Sequence, residues 1–134
     1  MNTLKALLLI TTALILGGCA STPKSIDGNY TLVSLSNTDT TLDKPIVMQM
    51  RETKIAGSGP VNKWRAVIND GKIGPIISTR RIGLTRLMQY ESNLLAALEG
   101  AQFEFDGRGK LTFMQERDVT AVFQYIEKQP ETSK

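Results

Sequence analysis

The sequence predicts a small α+β domain with about seven to eight strands and one helix. Short segments with alternating apolar and polar residues recur between turn signals, both before residue 80 and after residue 100. Between them the period lengthens, because apolar residues in 84–98 fall three or four positions apart. Strands interrupted by a single helix are typical of an α+β architecture.

In the first half of the domain, alternation predicts strands at 29–35, 46–50, 54–56, 63–68 and 72–77. The last two flank Asn69-Asp70-Gly71. Asp-Gly between apolar runs predicts a β-hairpin, because both residues tolerate positive φ.

The helix predicted at 84–98 ends before Gly100, a natural stop. Its predicted inward face consists of Leu84, Leu87, Met88, Glu91, Leu94, Leu95 and Leu98. Glu91 is the only charged residue on that face, either as a buried functional carboxylate or as a boundary residue paired with a nearby arginine. We favour the arginine pair, because an unpaired buried carboxylate is costly.

After the helix the alternation returns. Phe103 and Phe105 share one face of a strand, a turn is expected at 106–109, and Leu111 and Phe113 share one face of the next strand. A last strand is predicted at 119–126. Residues 128–134 are expected to form a flexible tail.

The N-terminus carries Lys5, an apolar run over 6–16, and then Gly17-Gly18-Cys19. This pattern resembles the lipobox of bacterial lipoproteins, and the run is too short to span a bilayer. It predicts a signal peptide at 1–18, cleavage between Gly18 and Cys19, and a lipid on Cys19. The alternative is a free or buried thiol. Because Cys19 is the only cysteine, no intramolecular disulfide can form.

Residues 19–27 are then expected to be the lipidated cysteine and a tether, and 28–127 a single domain. By resemblance to lipoproteins of Gram-negative envelopes, Ala20 implies the outer membrane, where an aspartate would favour retention at the inner membrane. The predicted location is therefore the periplasmic side of the outer membrane. The protein would be held there by its acyl chains without spanning the bilayer.

Charge is distributed unevenly along the chain. Residues 51–86 carry eight basic and two acidic side chains, whereas 87–134 carry five basic and eight acidic ones. We expect the basic middle and the acidic end to pair within the fold. The alternative is a basic face turned toward anionic lipid or an acidic partner, for which the candidate patch is Arg80, Arg81 and Arg86. Nucleic acid is not an expected partner outside the cytoplasm.

The stretch from residue 54 to residue 82 is the predicted structural centre. Its motif residues are Gly57, Gly59, Pro60, Asn62, Trp64 and Thr79. The two glycines are expected to supply backbone angles closed to other residues. Asn62 is expected to bond the backbone of the turn that it closes, and Thr79 to fix the crossover toward the helix. Trp64 is expected to be a core anchor with a bonded indole N–H, with ligand stacking as the alternative.

Four short segments in the same order resemble the META domain, the HslJ-like family of bacterial envelope lipoproteins. They are residues 57–62, 74–80, 91–98 and 111–113. The resemblance implies a strongly bent antiparallel sheet packed against one helix. It also implies roles in envelope stress or antibiotic tolerance, without an established enzymatic activity. Val61 and Gly83 stand where many members have a cysteine pair, so this chain is a variant that lacks the pair.

Catalytic chemistry has little support in the sequence. No histidine is present, which excludes Ser-His-Asp and Cys-His arrangements, and no acidic run suggests a metal or another cofactor. Ser58 between two glycines, with Lys54 or Lys63 as base, suggests a Ser-Lys hydrolase. A nucleophile elbow should lead into a helix, however, and here Pro60 and another strand follow.

The sequence therefore favours a non-enzymatic, outer-membrane-anchored lipoprotein that binds another envelope component or supports the envelope under stress. A pilotin-like assembly chaperone is the alternative within the binding class, and an exposed apolar groove would favour it. A Ser-Lys hydrolase and a lipid-binding module are the alternatives from other classes. The sequence does not identify the partner.

Overall fold

A computed structural model describes residues 25–39 and 41–127. The predicted signal peptide, Cys19, most of the tether and the predicted tail at 128–134 lie outside the described residues. Within the described ranges, no helix has both the length and the apolar character needed to cross a membrane.

The described chain forms nine strands and one helix. The strands are β1 (Gly28–Leu35), β2 (Val47–Arg51), β3 (Lys54–Ser58), β4 (Lys63–Asn69), β5 (Lys72–Ile73), β6 (Ile77–Ser78), β7 (Gln102–Phe105), β8 (Lys110–Gln115) and β9 (Asp118–Ile126). The helix α1 (Thr85–Leu98) lies between β6 and β7. The predicted α+β class with one helix is confirmed.

The sheet is a closed antiparallel barrel. Eight strands follow one another in the order β3-β2-β1-β9-β8-β7-β5-β4, and β3 also pairs with β4, which closes the ring. The ninth strand, β6, adds to the outside of β4. The expected strongly bent sheet is therefore wrong in this respect. Closure needs both the β3–β4 pairing, whose register runs the whole length of β3, and the pairing of β5 with β7, which are far apart in the chain.

The predicted hairpin at Asp70-Gly71 is confirmed, with φ of 50° and 73° at its two central residues. The strand predicted at 72–77, however, is split into β5 and β6, and this split raises the count to nine. Gly74 turns its N–H onto the carbonyl of Val67, and Pro75 has no N–H to offer to a ladder. The interrupted chain returns to β4 at Ile77.

The barrel interior holds the core. Its largest fully buried side chains include Tyr30, Met48, Ile55, Phe113 and Phe123. Phe113 and Phe123 lie edge to face with ring centroids 5.6 Å apart, a favourable aromatic geometry. The alternating apolar and polar residues of the sequence are thus the residues that face the inside and the outside of the barrel in turn.

Helix α1 packs against β8 and β9 with most of the predicted face. Its buried residues are Tyr90, Glu91, Leu94, Ala97 and Leu98. Leu84 is 63% and Met88 37% exposed, so those two predictions are wrong. The C-terminal end is fixed to the barrel by a hydrogen bond that the Thr120 hydroxyl donates to the carbonyl of Ala97, 2.7 Å away.

The turn between β7 and β8 is organised by Asp106. One of its carboxylate oxygens accepts hydrogen bonds from the backbone N–H groups of Arg108 (2.7 Å) and Lys110 (2.9 Å). These two bonds, the one from Arg108 first, hold the pKa of the Asp106 carboxyl below its ordinary value of 3.8. Gly107 and Gly109 supply the positive φ values of the turn.

We expect Asp106→Asn to lower the free energy of unfolding at neutral pH, because asparagine keeps the acceptor oxygen but loses the charge. A lowered folded pKa gives stability that is complete above the unfolded pKa and is lost as pH falls through the folded pKa. The difference between variant and parent should therefore vanish in strong acid. Urea denaturation from neutral pH down to about pH 2 measures it. Asp70→Asn controls for removing one turn carboxylate, and a pH-independent difference would contradict the assignment.

Candidate functional site

Three polar residues meet where the β3–β4 turn, the end of β6 and helix α1 come together. We call Asn62, Thr79 and Glu91 the turn–helix junction. Asn62 is 7% and Glu91 6% exposed, and they are the only buried polar or charged residues in the part of the chain that the structure describes. The junction therefore contains two buried polar side chains in an otherwise largely apolar interior.

Glu91 is bound by the turn and not by an arginine. One carboxylate oxygen accepts hydrogen bonds from the backbone N–H groups of Val61 (2.9 Å) and Asn62 (2.7 Å). The other accepts from the side-chain amide of Asn62 at 2.6 Å. The predicted boundary glutamate with an arginine partner is wrong in both respects. Three N–H donors satisfy the buried carboxylate where a cation was expected.

Asn62 connects the turn to the segment before the helix. Its side-chain oxygen accepts from the backbone N–H of Arg81 (2.6 Å) and from the hydroxyl of Thr79 (2.8 Å). The Thr79 hydroxyl in turn accepts from the N–H of Lys63 at 3.2 Å. Asn62 also closes its own turn, because its carbonyl accepts from the N–H of Gly59 at 2.7 Å. The junction thus ties the β3–β4 turn, the residue after β6 and helix α1 together.

The two glycines of the turn are required for close approach. Neither has a positive φ, so the expectation of special backbone angles is wrong. A Cβ on Gly57 would lie 2.7 Å from Cζ2 of Trp64, and a Cβ on Gly59 would overlap the carboxylate of Glu91. Glycine therefore lets the indole and the carboxylate lie directly on the backbone of β3 and its turn.

Trp64 lies in the core, only 3% exposed. Its indole N–H has no acceptor among the described residues, so the expected hydrogen bond is absent there. Because the ring is covered, it offers no face on which a ligand could stack from solvent. The residue contributes apolar packing, and its unpaired N–H is a cost that the fold carries.

The structure does not assemble a Ser-Lys pair around Ser58. Ser58 lies at the exposed end of β3, directly across the ladder from Lys63, while Lys54 stands at the other end of the same strand. Within the described ranges the Ser58 hydroxyl makes no hydrogen bond to a lysine amine. The turn after it leads into β4 and not into a helix. Lys63 is therefore the cross-strand neighbour of Ser58 but is not bonded to its hydroxyl, and the helix expected after a nucleophile elbow is absent from this turn.

Two surface grooves border this region. One, of about 390 Å³, lies beside the turn and includes Leu42, Lys44, Pro60 and Leu87 among its lining residues. The other, of about 450 Å³, lies on the outer surface of β3 and β4. Both combine apolar walls with basic side chains. No group of three or more potential metal ligands occurs in residues 25–39 and 41–127.

Arg80, Arg81 and Arg86 are all exposed on the loop before α1 and its first turn. The basic side chains of the middle segment make no ion pairs with carboxylates in the portion of the chain that is described. The expected pairing of the basic middle with the acidic end is therefore not found there.

A second basic surface, on β3 and β4, was missed by the sequence analysis. The alternation over Lys63, Arg65 and Val67 was the signal, because it places these three residues on one side of a strand.

Val61 and Gly83 are neighbours in space. A Cβ on Gly83 would lie 3.5 Å from the Cβ of Val61 and 2.7 Å from its Cγ2. A distance of 3.5 Å is at the lower end of the Cβ–Cβ range for disulfides. The two positions at which the resemblance implies a cysteine pair are thus brought together without one.

A family model described as "META domain" matches residues 24–128 of this chain. No curated protein sequence matches it significantly. Among solved structures, an NMR structure of a protein from Burkholderia xenovorans is similar, with a TM-score of 0.56 and 16% sequence identity. The match covers 76% of this chain and 83% of that chain. At this identity the likeness shows a shared fold and nothing further.

Proposed function

Because the chain belongs to the META domain family, we propose that it is a non-enzymatic lipoprotein of the bacterial envelope. The Cys19 thiol carries the lipid, and signal cleavage after Gly18 makes Cys19 the first residue of the mature chain. Residues 19–27 then tether the barrel to the periplasmic side of the outer membrane. The barrel then binds another envelope component and supports the envelope under stress. The family suggests envelope association, and the N-terminal sequence motivates the anchor.

A binding scaffold is supported chiefly by the way in which the turn–helix junction uses its polar groups. Both oxygens of Glu91 and both ends of the Asn62 amide are engaged in internal hydrogen bonds. A catalytic carboxylate or amide must instead be directed at a substrate. Here these groups hold a turn, a strand end and a helix in a fixed arrangement, which is the work of a scaffold.

Metabolic labelling with an alkyne analogue of palmitate, followed by membrane fractionation, tests the anchor. The parent is expected to incorporate the label and to fractionate with the outer membrane. Cys19→Ser should lose the label, whereas Ala20→Asp should keep it and move to the inner membrane. An unlabelled parent, or a label that survives in Cys19→Ser, would contradict the lipoprotein assignment.

Crosslinking in intact envelopes, with the parent and with an exported Cys19→Ser form, then tests whether the domain binds a protein partner. A partner captured with both forms would be bound by the barrel itself, whereas capture with the parent alone would make binding depend on membrane attachment.

A pilotin-like assembly chaperone is the second candidate, and one observation favours it. The groove of about 390 Å³ beside the turn includes Leu42 and Leu87 in its lining, so it offers an apolar seat next to Lys44. The closed barrel counts against it, because the apolar core is enclosed by the ring of strands and is not open to a client segment. Leu87→Asp should then abolish outer-membrane assembly of a client protein. Unchanged assembly in a folded variant would exclude this function.

A further inference from the structure

The outer surface of β2, β3 and β4 is basic. The ladders place Arg51 across from Lys54, Ser58 across from Lys63, and Arg65 across from Ile77. We define the basic face by Arg51, Lys54, Lys63, Arg65, Val67 and Ile77, all of which are exposed. The outward positions of these three strands include no aspartate or glutamate. Four cations therefore stand on the outward positions of these strands, while the exposed carboxylates of Asp27 and Glu52 lie at the β2–β3 turn.

The four cations of the basic face are also unpaired at short range. None of them lies within 4 Å of a carboxylate belonging to the described residues. Basic side chains that serve only solubility are usually interspersed with acidic ones. A surface with an excess of cations attracts an anionic partner.

The same face also has exposed apolar side chains. Val67 is 49% and Ile77 62% exposed, and they flank the groove of about 450 Å³, which Lys54 and Arg65 border. Aliphatic side chains surrounded by cations match a phospholipid surface, where phosphates lie above an apolar layer. Lysine and arginine keep their charge at the phosphates while their stems cover apolar surface.

The chain leaves the barrel beside this face. Gly28 pairs with Met50, and the Asp27 carboxylate accepts a hydrogen bond from the N–H of Glu52 at 2.8 Å. Six residue steps separate Ser25 from Cys19, so they span at most roughly 20 Å. A lipid on Cys19 would therefore hold Ser25 within that distance of the bilayer, and the end of β2 lies beside the residues that follow Ser25.

We propose that the basic face docks on the surface of an anionic phospholipid bilayer. Lys54 and Arg65 meet headgroup phosphates, and Val67 and Ile77 enter the boundary below them. The placement of the face rests on the proposed anchor at Cys19, whereas its affinity for anionic lipid does not. The domain then lies on its side, with β8 and β9 directed away from the membrane, because they stand opposite β3 and β4 in the ring.

The test uses the full chain with Cys19→Ser, which removes its only cysteine and any acyl chain. An environment-sensitive dye is attached to Ala56→Cys at the centre of the basic face, or to Gln124→Cys on β9 as the matched control site; both positions are exposed. Each protein is bound to vesicles of phosphatidylcholine, with or without an equal part of phosphatidylglycerol, that carry a lipid-borne quencher. The apolar N-terminal segment is present in all samples, so differences report the orientation of the barrel.

We expect quenching at position 56 on anionic vesicles only, its loss in about 1 M salt, where the Debye length is about 3 Å, and no quenching at position 124. Lys54→Gln with Arg65→Gln should lower the ratio of docked to undocked barrel about twenty-fivefold, since each basic residue contributes roughly a factor of five. Lys110→Gln with Arg117→Gln removes the same charge from the far side and should leave the ratio unchanged.

Equal quenching at both sites would overturn the proposal, and so would indifference to lipid charge. Absence of quenching at position 56 on anionic vesicles would also overturn it, and an acidic protein would then be the next occupant to test. Because the tested protein carries no acyl chain, these outcomes leave the palmitate labelling result untouched. Failure of the docking face and failure of the lipid anchor are thus distinguishable.

Discussion

Glu91→Ala is expected to lower the free energy of unfolding by about 3–5 kcal/mol. The substitution removes the acceptor for three N–H groups, two from the backbone of the β3–β4 turn and one from the side chain of Asn62. Each donor left buried without a partner costs about 1–3 kcal/mol. Small domains are stable by only about 5–15 kcal/mol, so the variant should be close to unfolding. Urea denaturation followed by circular dichroism measures the loss.

Two variants control this experiment. Glu104→Ala removes an exposed glutamate on β7 and should change stability by less than about 0.5 kcal/mol. Glu91→Gln keeps the shape and one acceptor oxygen but turns an NH₂ group toward N–H donors, so an intermediate loss is expected. If Glu91→Ala and Glu104→Ala cost the same, the carboxylate would not be what holds the turn to the helix.

The variant Val61→Cys with Gly83→Cys, in a Cys19→Ser background, is expected to form a disulfide that raises the free energy of unfolding by about 3 kcal/mol. The structure places the two Cβ positions 3.5 Å apart, a separation found in disulfides. The bridge would restrict the unfolded chain between the turn and the loop before α1. Thermal unfolding with and without reductant, together with a thiol count, measures the effect.

Single replacements separate the bridge from its packing. Gly83→Cys alone should destabilise the fold, because the new Cβ would lie 2.7 Å from Cγ2 of Val61. Val61→Cys removes that methyl group and so relieves the clash. Even with its thiols reduced, the double variant should therefore lose less stability than the two single variants lose together. Free thiols in the oxidised double variant would show that the two segments are not adjacent.

Local signals in the sequence were sufficient for most of the individual elements. Asp70-Gly71 specifies its hairpin by conformational preference, and alternation locates the strands within one or two residues, except that it joins β5 and β6 into one. Closure of the barrel was not predictable in this way. It depends on pairing between segments far apart in the chain, such as Lys72 with Gln102, and no local pattern encodes it.

The turn–helix junction illustrates a different limit. Glu91 was recognisable as an anomaly on an apolar helix face, but its partners are mainly backbone N–H groups, and every residue except proline has one. A search for an opposite charge therefore pointed to arginine. Leu84 and Met88 were misplaced for a related reason: periodicity shows which residues share a face, but not how far the barrel extends along the helix.

The pairing of β1 with β9 has a consequence for the order of events during synthesis. The first strand to be made lies between β2 and β9, so one of its edges stays open until the chain has been completed almost to its last described residue. A product that stops before Asp118 exposes the edges of both β1 and β8, which invites pairing with other chains. The ring of strands can therefore close only once β9 has been made, and chains that stop before it are expected to aggregate or be degraded.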